Sequence, residues 1–234
     1  MKSLLAMLAA TVMVLSASAA FAADYGRGGS IKDEPIADVP THKFYLAVRG
    51  GFAFPEDTEF GALSTTITNE YDTSYFIGGA AGITNLLGVR GLRGDLEIGY
   101  RSAEVEAHNV GGVKFSGANA FGSTDTVYGL ASIYYDFQTG TIFKPFIGAG
   151  GGIADVSFDQ HGVSTARNVL DDNATAYAWH VTAGTNVELA AGLNLEVAYR
   201  YFSTVGAEVT AFDGTKSDVD VNDHQIMIGL RRNF

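Results

Sequence analysis

The chain has no cysteine. This rules out disulfides, thiolate zinc sites, a cysteine nucleophile and a lipid-attached N-terminal cysteine. Proline is scarce, at 4 of 234 residues. Pro35 and Pro40 precede the first strand-like segment, Pro55 falls in an expected connection and Pro145 opens a strand-like run. None interrupts a strand interior, where the missing N–H would break a ladder. Basic residues are also in deficit, 15 against 26 acidic ones for a net charge of −11, which argues against a nucleic-acid partner, since such partners need a basic face. Beyond residue 22 no uninterrupted apolar run reaches the about 18–20 residues of a membrane-spanning helix, although 47% of the chain is hydrophobic. The apolar residues are interleaved with polar ones.

The first residues read as an address. Lys2 gives a positive start, Leu4 to Leu15 an apolar stretch, and Ala20-Phe21-Ala22 a small-residue cleavage pattern. Residues 1–22 are therefore expected to be a secretory signal peptide for export through the Sec pathway, cut after Ala22 or, alternatively, after Ala20. Residues 23–42 are polar and aperiodic, with mixed charges from Lys32 to Asp38. They read as a flexible periplasmic lead-in, leaving residues 43–234 as one domain.

From Phe44 onward the dominant period is two, the mark of strands whose faces meet different surroundings. Phe44, Leu46, Val48 and Phe52 alternate with Tyr45, Ala47, Arg49 and Gly51; Leu195, Val197, Tyr199 and Tyr201 alternate with Glu196, Ala198 and Arg200. The same pattern recurs around residues 92–101 and 225–234. Glycine-softened versions run near 73–84, 126–138, 144–156 and 175–189. Eight strands result. Long connections are expected at 55–72, 104–125, 157–174 and 206–221, and short ones at 85–91, 139–143 and 190–192. Long loops outside and tight turns on the periplasmic side are the pattern of a transmembrane barrel. The expected fold is all-β, an eight-stranded antiparallel up-and-down transmembrane β-barrel.

Charge placement decides which face meets lipid. In the apolar phase the one charge read is Arg232, beside the C-terminus, where its side chain can snorkel to the headgroups. The opposite phase carries Arg49, Arg93, Arg101, Arg200 and Arg231 against Asp95, Glu97, Asp136, Glu188 and Glu196. These ten residues are expected to form a lumen charge network, because a buried ion needs a partner or costs several kcal/mol. Gly78, Gly82, Gly148, Gly150 and Gly184 share that phase and are expected to leave room for the arginines. Phe44, Phe137 and Phe234 fall at the periplasmic strand ends, and Phe52, Tyr75, Tyr100, Trp179 and Tyr201 toward the outer ends, as two interfacial girdles require.

The segment Gln225 to Phe234, with alternate Ile226, Ile228 and Leu230 before a final Phe234, resembles the terminal strand of Gram-negative outer-membrane proteins. Ile98-Gly99-Tyr100-Arg101, Tyr134-Tyr135-Asp136-Phe137, the run from Lys144 to Gly152 and Ala178-Trp179-His180-Val181 extend the likeness. In this order, over residues 43–234, they resemble the small OmpA/OmpX-like, opacity-type barrels known as porin-family surface antigens. The resemblance implies that Ile226, Ile228, Leu230 and Phe234 are read by the barrel-assembly machinery. The peptidoglycan-binding domain of full-length OmpA has no counterpart here, so attachment to the cell wall is not implied.

Three functions fit such a scaffold. The first is a non-enzymatic surface protein of the outer membrane, supporting envelope integrity and displaying four loops for interaction. Its partners would be lipid, lipopolysaccharide and a host or cell-surface ligand. Acidic loop residues (Glu56, Asp57, Glu59, Asp213, Asp218 and Asp220) are then either plain solvated loop or share divalent cations with lipopolysaccharide phosphates. The second is a lipid A-modifying enzyme. His42, His108, His161 and His224 sit in no catalytic motif, and His180 points into the lumen, where a packed, hydrogen-bonded role is expected. No metal-ligand spacing occurs, and no cofactor or catalytic residue is assigned. The third is a narrow pore, disfavoured because eight strands enclose a bore that side chains fill.

Overall fold

A computed structural model describes residues 42–62, 65–163 and 166–234, including the side chains of all of these but residues 62 and 166–169. The expectations for residues 1–22 and, His42 apart, 23–42 lie outside these residues. Eleven strands follow one another: β1 (Lys43–Pro55), β2 (Thr58–Ala62), β3 (Thr65–Tyr71), β4 (Ser74–Thr84), β5 (Leu92–Val110), β6 (Val113–Ser116), β7 (Ala120–Asp136), β8 (Phe143–Val163), β9 (Ala166–Ala190), β10 (Leu193–Thr210) and β11 (Lys216–Asn233). Eight of them close a ring. β1 pairs with β4 on one side and β11 on the other, and neighbours β4-β5-β7-β8-β9-β10-β11 pair antiparallel throughout. Closure leaves no free sheet edge in the bilayer, which is the condition for crossing with strands.

The connections differ from the sequence reading at one end only. The short turns stand at residues 85–91, 137–142 and 191–192. Gly192 takes φ +76, the left-handed backbone that a two-residue hairpin turn demands. The four long connections are instead largely strand. β9 has 25 residues and β8 has 21, whereas a tilted strand crosses the hydrocarbon in about 9–11. Above the bilayer β2 and β3 prolong β1 and β4, β6 adds a hairpin to β5, and the pairs β8–β9 and β10–β11 simply continue.

The polarity of the long strands β8 to β11 reverses where they leave the membrane. In β8 the outward residues run Ile147, Ala149, Gly151 and Ile153, then Asp155, Ser157 and Asp159; the inward ones end in Ala154, Val156 and Phe158. β9 mirrors it, with Val181, Trp179 and Tyr177 giving way outward to Thr175, Asn173 and Asp171. Asp155 thus shares the phase of the lipid-facing residues, alongside Arg232, but stands at the first step beyond the apolar band. Lipid selects apolar residues outward, and water selects them inward. The upper interior accordingly holds a second core, in which Phe60 and Ile67 of the first hairpin meet Val156, Phe158, Leu170, Val209, Val219 and Val221. No hydrocarbon surrounds this tier, so it packs like a soluble β-protein.

Candidate functional site

Within the membrane section the inward phase builds an ion-pair lattice. Arg49 on β1 reaches Asp95 at 2.7 Å, Glu97 at 2.6 Å and Glu196 at 3.0 Å. Its stem passes over Gly229, where an added Cβ would come within 3.1 Å of Arg49 Cγ. Arg200 clasps Glu97 at 2.8 Å from the other side. Arg93 lies 3.0 Å from Asp136 and 3.4 Å from Glu196, and Arg231 is 3.5 Å and 3.3 Å from the same two carboxylates. Tyrosines fill the gaps between the ions. Tyr45 donates to Asp95 at 2.9 Å and Tyr128 to Glu97 at 3.3 Å, while Arg93 stacks 4.1 Å above the Tyr134 ring.

Glu188 does not belong to this lattice. It lies at the periplasmic rim with 41% of its side chain exposed, paired to Lys144 at 2.8 Å. Its strand phase points inward, but the strand ends before it reaches depth. Asp223 takes the fifth carboxylate's place, fully buried and 2.7 Å from Arg101. Five buried arginines therefore face five buried carboxylates. Asp223 was legible from parity, being two residues before Gln225 in the inward row of β11. The glycines also serve other guests than expected. A Cβ on Gly82 would strike Tyr45, one on Gly148 would strike Tyr134, and one on Gly184 would strike Ala198. Gly78 lies beside Glu97. The glycines make room for cross-strand tyrosine rings as well as ions, the aromatic-over-glycine pairing that pins strand register.

His180 is hydrogen-bonded within the lumen, as its phase leads one to expect. Its Nε2 is 2.9 Å from the Ser132 hydroxyl and its Nδ1 is 2.9 Å from Thr182 Oγ1. Gly150, on the strand between Ser132 and His180, has no side chain to separate them. A serine within reach of a histidine is the start of an acyl-transfer site, but here the histidine's other nitrogen meets a hydroxyl. A carboxylate there is what stabilises an imidazolium. Both residues also point into the barrel interior, His180 at 1% and Ser132 at 4% exposure, away from the lipid such an enzyme would process. Among the described residues no group of three or more His, Cys, Asp or Glu side chains is placed to hold a metal ion.

Above the lattice, a polar layer supports the apolar cap. His108 lies 2.7 Å from Asn69 Oδ1 and 2.8 Å from the Phe121 carbonyl. His161 lies 3.0 Å from the Ser123 carbonyl, and its ring packs against those of His108, Tyr71 and Phe158. Gly122 faces the His161 ring. Both histidines, read as loop residues from sequence, are interior. Burial holds His161 down to about 4 and lowers His108, the latter against the opposing pull of its carbonyl partner.

The outer surface of this tier is acidic. Glu104, Glu106, Asp155, Asp159, Asp171, Glu208, Asp218 and Asp220 are exposed, while Lys114 and Lys216 are engaged with Glu70 and Glu208 at 2.7 Å and 2.6 Å. At the other end Ile228, Leu230 and Phe234 project outward with 50–65% exposure, Ile226 is half-buried, and Phe234 packs on Phe44 at 6.0 Å between rings.

The model of the family described as "Opacity family porin protein" matches residues 95–234, which is more than half the chain. The chain belongs to the Opacity porin family. It is an outer-membrane β-barrel surface protein. Among its relatives, a candidate adhesin of Rickettsia conorii, RC1281, is 26% identical over 99% of both chains. The outer membrane protein PagN of Salmonella typhimurium is 25% identical over 43% of this chain and 46% of its own length. Among solved structures, Neisserial surface protein A is similar at 18% identity with a TM-score of 0.48, covering 82% of this chain and 97% of that one.

Proposed function

We propose that this Opacity-family barrel is a non-enzymatic surface protein whose working part is the extracellular tier, a solid strand-built stalk that presents its hairpin tips to a ligand outside the cell. The observation that carries the reading is the polarity reversal at Asp155 and Thr175. The pairs β8–β9 and β10–β11 continue past the lipid, turn their apolar side inward and, with the β2–β3 hairpin, pack a core. Such an extension does nothing for membrane crossing, so its purpose lies outside. Relatives named as an adhesin and as an outer-membrane protein support the reading. The acidic wall narrows the partner's chemistry to a basic surface, or to anionic lipopolysaccharide bridged by divalent cations. A free polyanion would be repelled.

The remaining roles follow from the same layout. Residues 1–22 direct Sec export, 23–42 form a periplasmic lead-in, and the row Ile226, Ile228, Leu230 and Phe234 is what the barrel-assembly machinery reads. The lattice of Arg49, Arg93, Asp95, Glu97, Arg101, Asp136, Glu196, Arg200 and Arg231, with Asp223, plugs the bore and contributes to envelope integrity. The test is adherence of cells displaying the intact chain against cells displaying a chain whose β8–β9 tip is replaced by a two-residue turn. Loss of binding with normal surface levels is expected. Altered lipid A acylation, or stable large conductance steps from the purified protein, would overturn the proposal in favour of an enzyme or a pore.

A further inference from the structure

The lipid-facing wall is uneven. On β4, β5 and β7 the outward positions Ala81, Gly94 and Ala131 are small, and a cleft of about 490 Å³ lies over them, walled by Phe44, Leu86 and Leu96 among others. Ala81 is paired with Leu96, and Leu96 with Ala131, so the small residues sit on adjacent strands at neighbouring depths. The volume is within the range of ligand-sized clefts, about 300–1,000 Å³. Its periplasmic wall is unusual. The turn after β4 bends back outward through left-handed Asn85 and Leu87. Leu86 comes within 3.4 Å of the point where a Gly94 Cβ would stand, and Leu87 is left 83% exposed. Burying the exposed Leu87 side chain in the leaflet would be favourable.

Two cations stand at the same mouth. Lys43 is paired through its backbone with Thr84, next to the turn, and Arg90 lies within the turn. Both are exposed, and neither makes an ion pair with a described residue. The acidic residue beside the turn, Asp136, whose backbone N–H bonds the Gly91 carbonyl, is taken by Arg93 and Arg231. We propose that this slot is a binding site for one anionic glycerophospholipid of the periplasmic leaflet, an acyl chain lying over Ala81, Gly94 and Ala131 and the phosphate held by Lys43 and Arg90. The charge count selects the ligand, since a zwitterionic headgroup would bring an ammonium to two cations that no described residue neutralises. A phosphatidylglycerol-type headgroup brings none.

The experiment is native mass spectrometry of the full chain, folded in detergent and offered equal phosphatidylglycerol and phosphatidylethanolamine. One phosphatidylglycerol is expected to stay bound per barrel. K43Q/R90Q should reduce the preference for it by about five-fold per cation. A131F, which fills the slot from a lipid-facing position, should eject the retained lipid while the barrel still shows folded gel mobility; A81L does the same from β4 should A131F not fold. Equal retention of both lipids, unchanged by either substitution, overturns the proposal. So does a dimer that A131F dissolves, which would give the slot to a second copy of the chain.

Discussion

Replacing Arg49 by Met should be among the most damaging single changes in the membrane section. Arg49 is 1% exposed and, among the described residues, is the one cation touching three carboxylates. After its loss Glu97 keeps Arg200 at 2.8 Å, and Glu196 keeps Arg93 at 3.4 Å and Arg231 at 3.3 Å. Among the described residues Asp95 keeps only the Tyr45 hydroxyl, at 2.9 Å. One buried carboxylate is thus left without a cation, and breaking such a pair costs about 3–5 kcal/mol, a large share of an overall stability of about 5–15 kcal/mol. Changing Asp95 to Asn in the same chain restores neutrality at the orphaned position and should recover most of that loss, because the cost lies in the uncompensated charge. The assay is urea unfolding in detergent micelles, followed by Trp179, the single tryptophan, and by gel mobility of the folded form. A cost below about 1 kcal/mol for Arg49→Met, the size of an exposed pair, would refute the reasoning. So would a double variant as unstable as the sum of its parts.

Other outcomes follow from the same geometry. Asp223→Asn, which leaves Arg101 without its carboxylate, should cost several kcal/mol, whereas Glu188→Gln at the rim should cost at most about 1 kcal/mol in the same assay. Gly150→Ala brings a methyl within 2.6 Å of His180 Nε2 and should destabilise by about 1–3 kcal/mol. Gly79→Ala, which meets nothing within 4 Å, serves as the neutral control. His161 is depressed to about 4 from an ordinary 6.5, so the folded state binds its proton less readily than the unfolded chain does. Its contribution is fully present above pH 6.5 and is lost as pH falls toward 4, by up to about 3 kcal/mol. Hydrogen exchange corrected for intrinsic rates should therefore show the outer tier, with its facing Tyr71, Thr124 and His108, loosening in that window. A flat profile would show that His161 is not the group responsible.

Much of the barrel was legible because lipid and lumen differ so sharply that parity alone sorts the residues. Arg49, Glu97 and Arg200 announce themselves as charges amid apolar neighbours. The upper tier was harder. Beyond Ile153 the outward row becomes Asp155, Ser157 and Asp159, and a reader expecting hydrocarbon takes the change for a loop, although Val156 and Phe158 keep the period with the opposite sign. The exchange of Glu188 for Asp223 had a different cause. Parity fixes which way a residue points but not how deep it lies, and depth decides whether a carboxylate is buried or washed by solvent. Ser132 carries no signal in sequence because its partner is two strands away, across a glycine that parity cannot identify as a passage.

The absence of cysteine makes the decisive measurement clean. Single cysteines at Leu96, Val197 and Ile228, and at Ser157 and Asp218 on the same outward phase, can be spin-labelled and their collision rates compared with oxygen, which concentrates in hydrocarbon, and with a charged nickel chelate, which stays in water. Oxygen should dominate at the first three and the chelate at the last two, locating the reversal of polarity between them. Free access of the chelate to Leu96, Val197 and Ile228 would contradict a wall that looks outward on lipid and inward on paired ions.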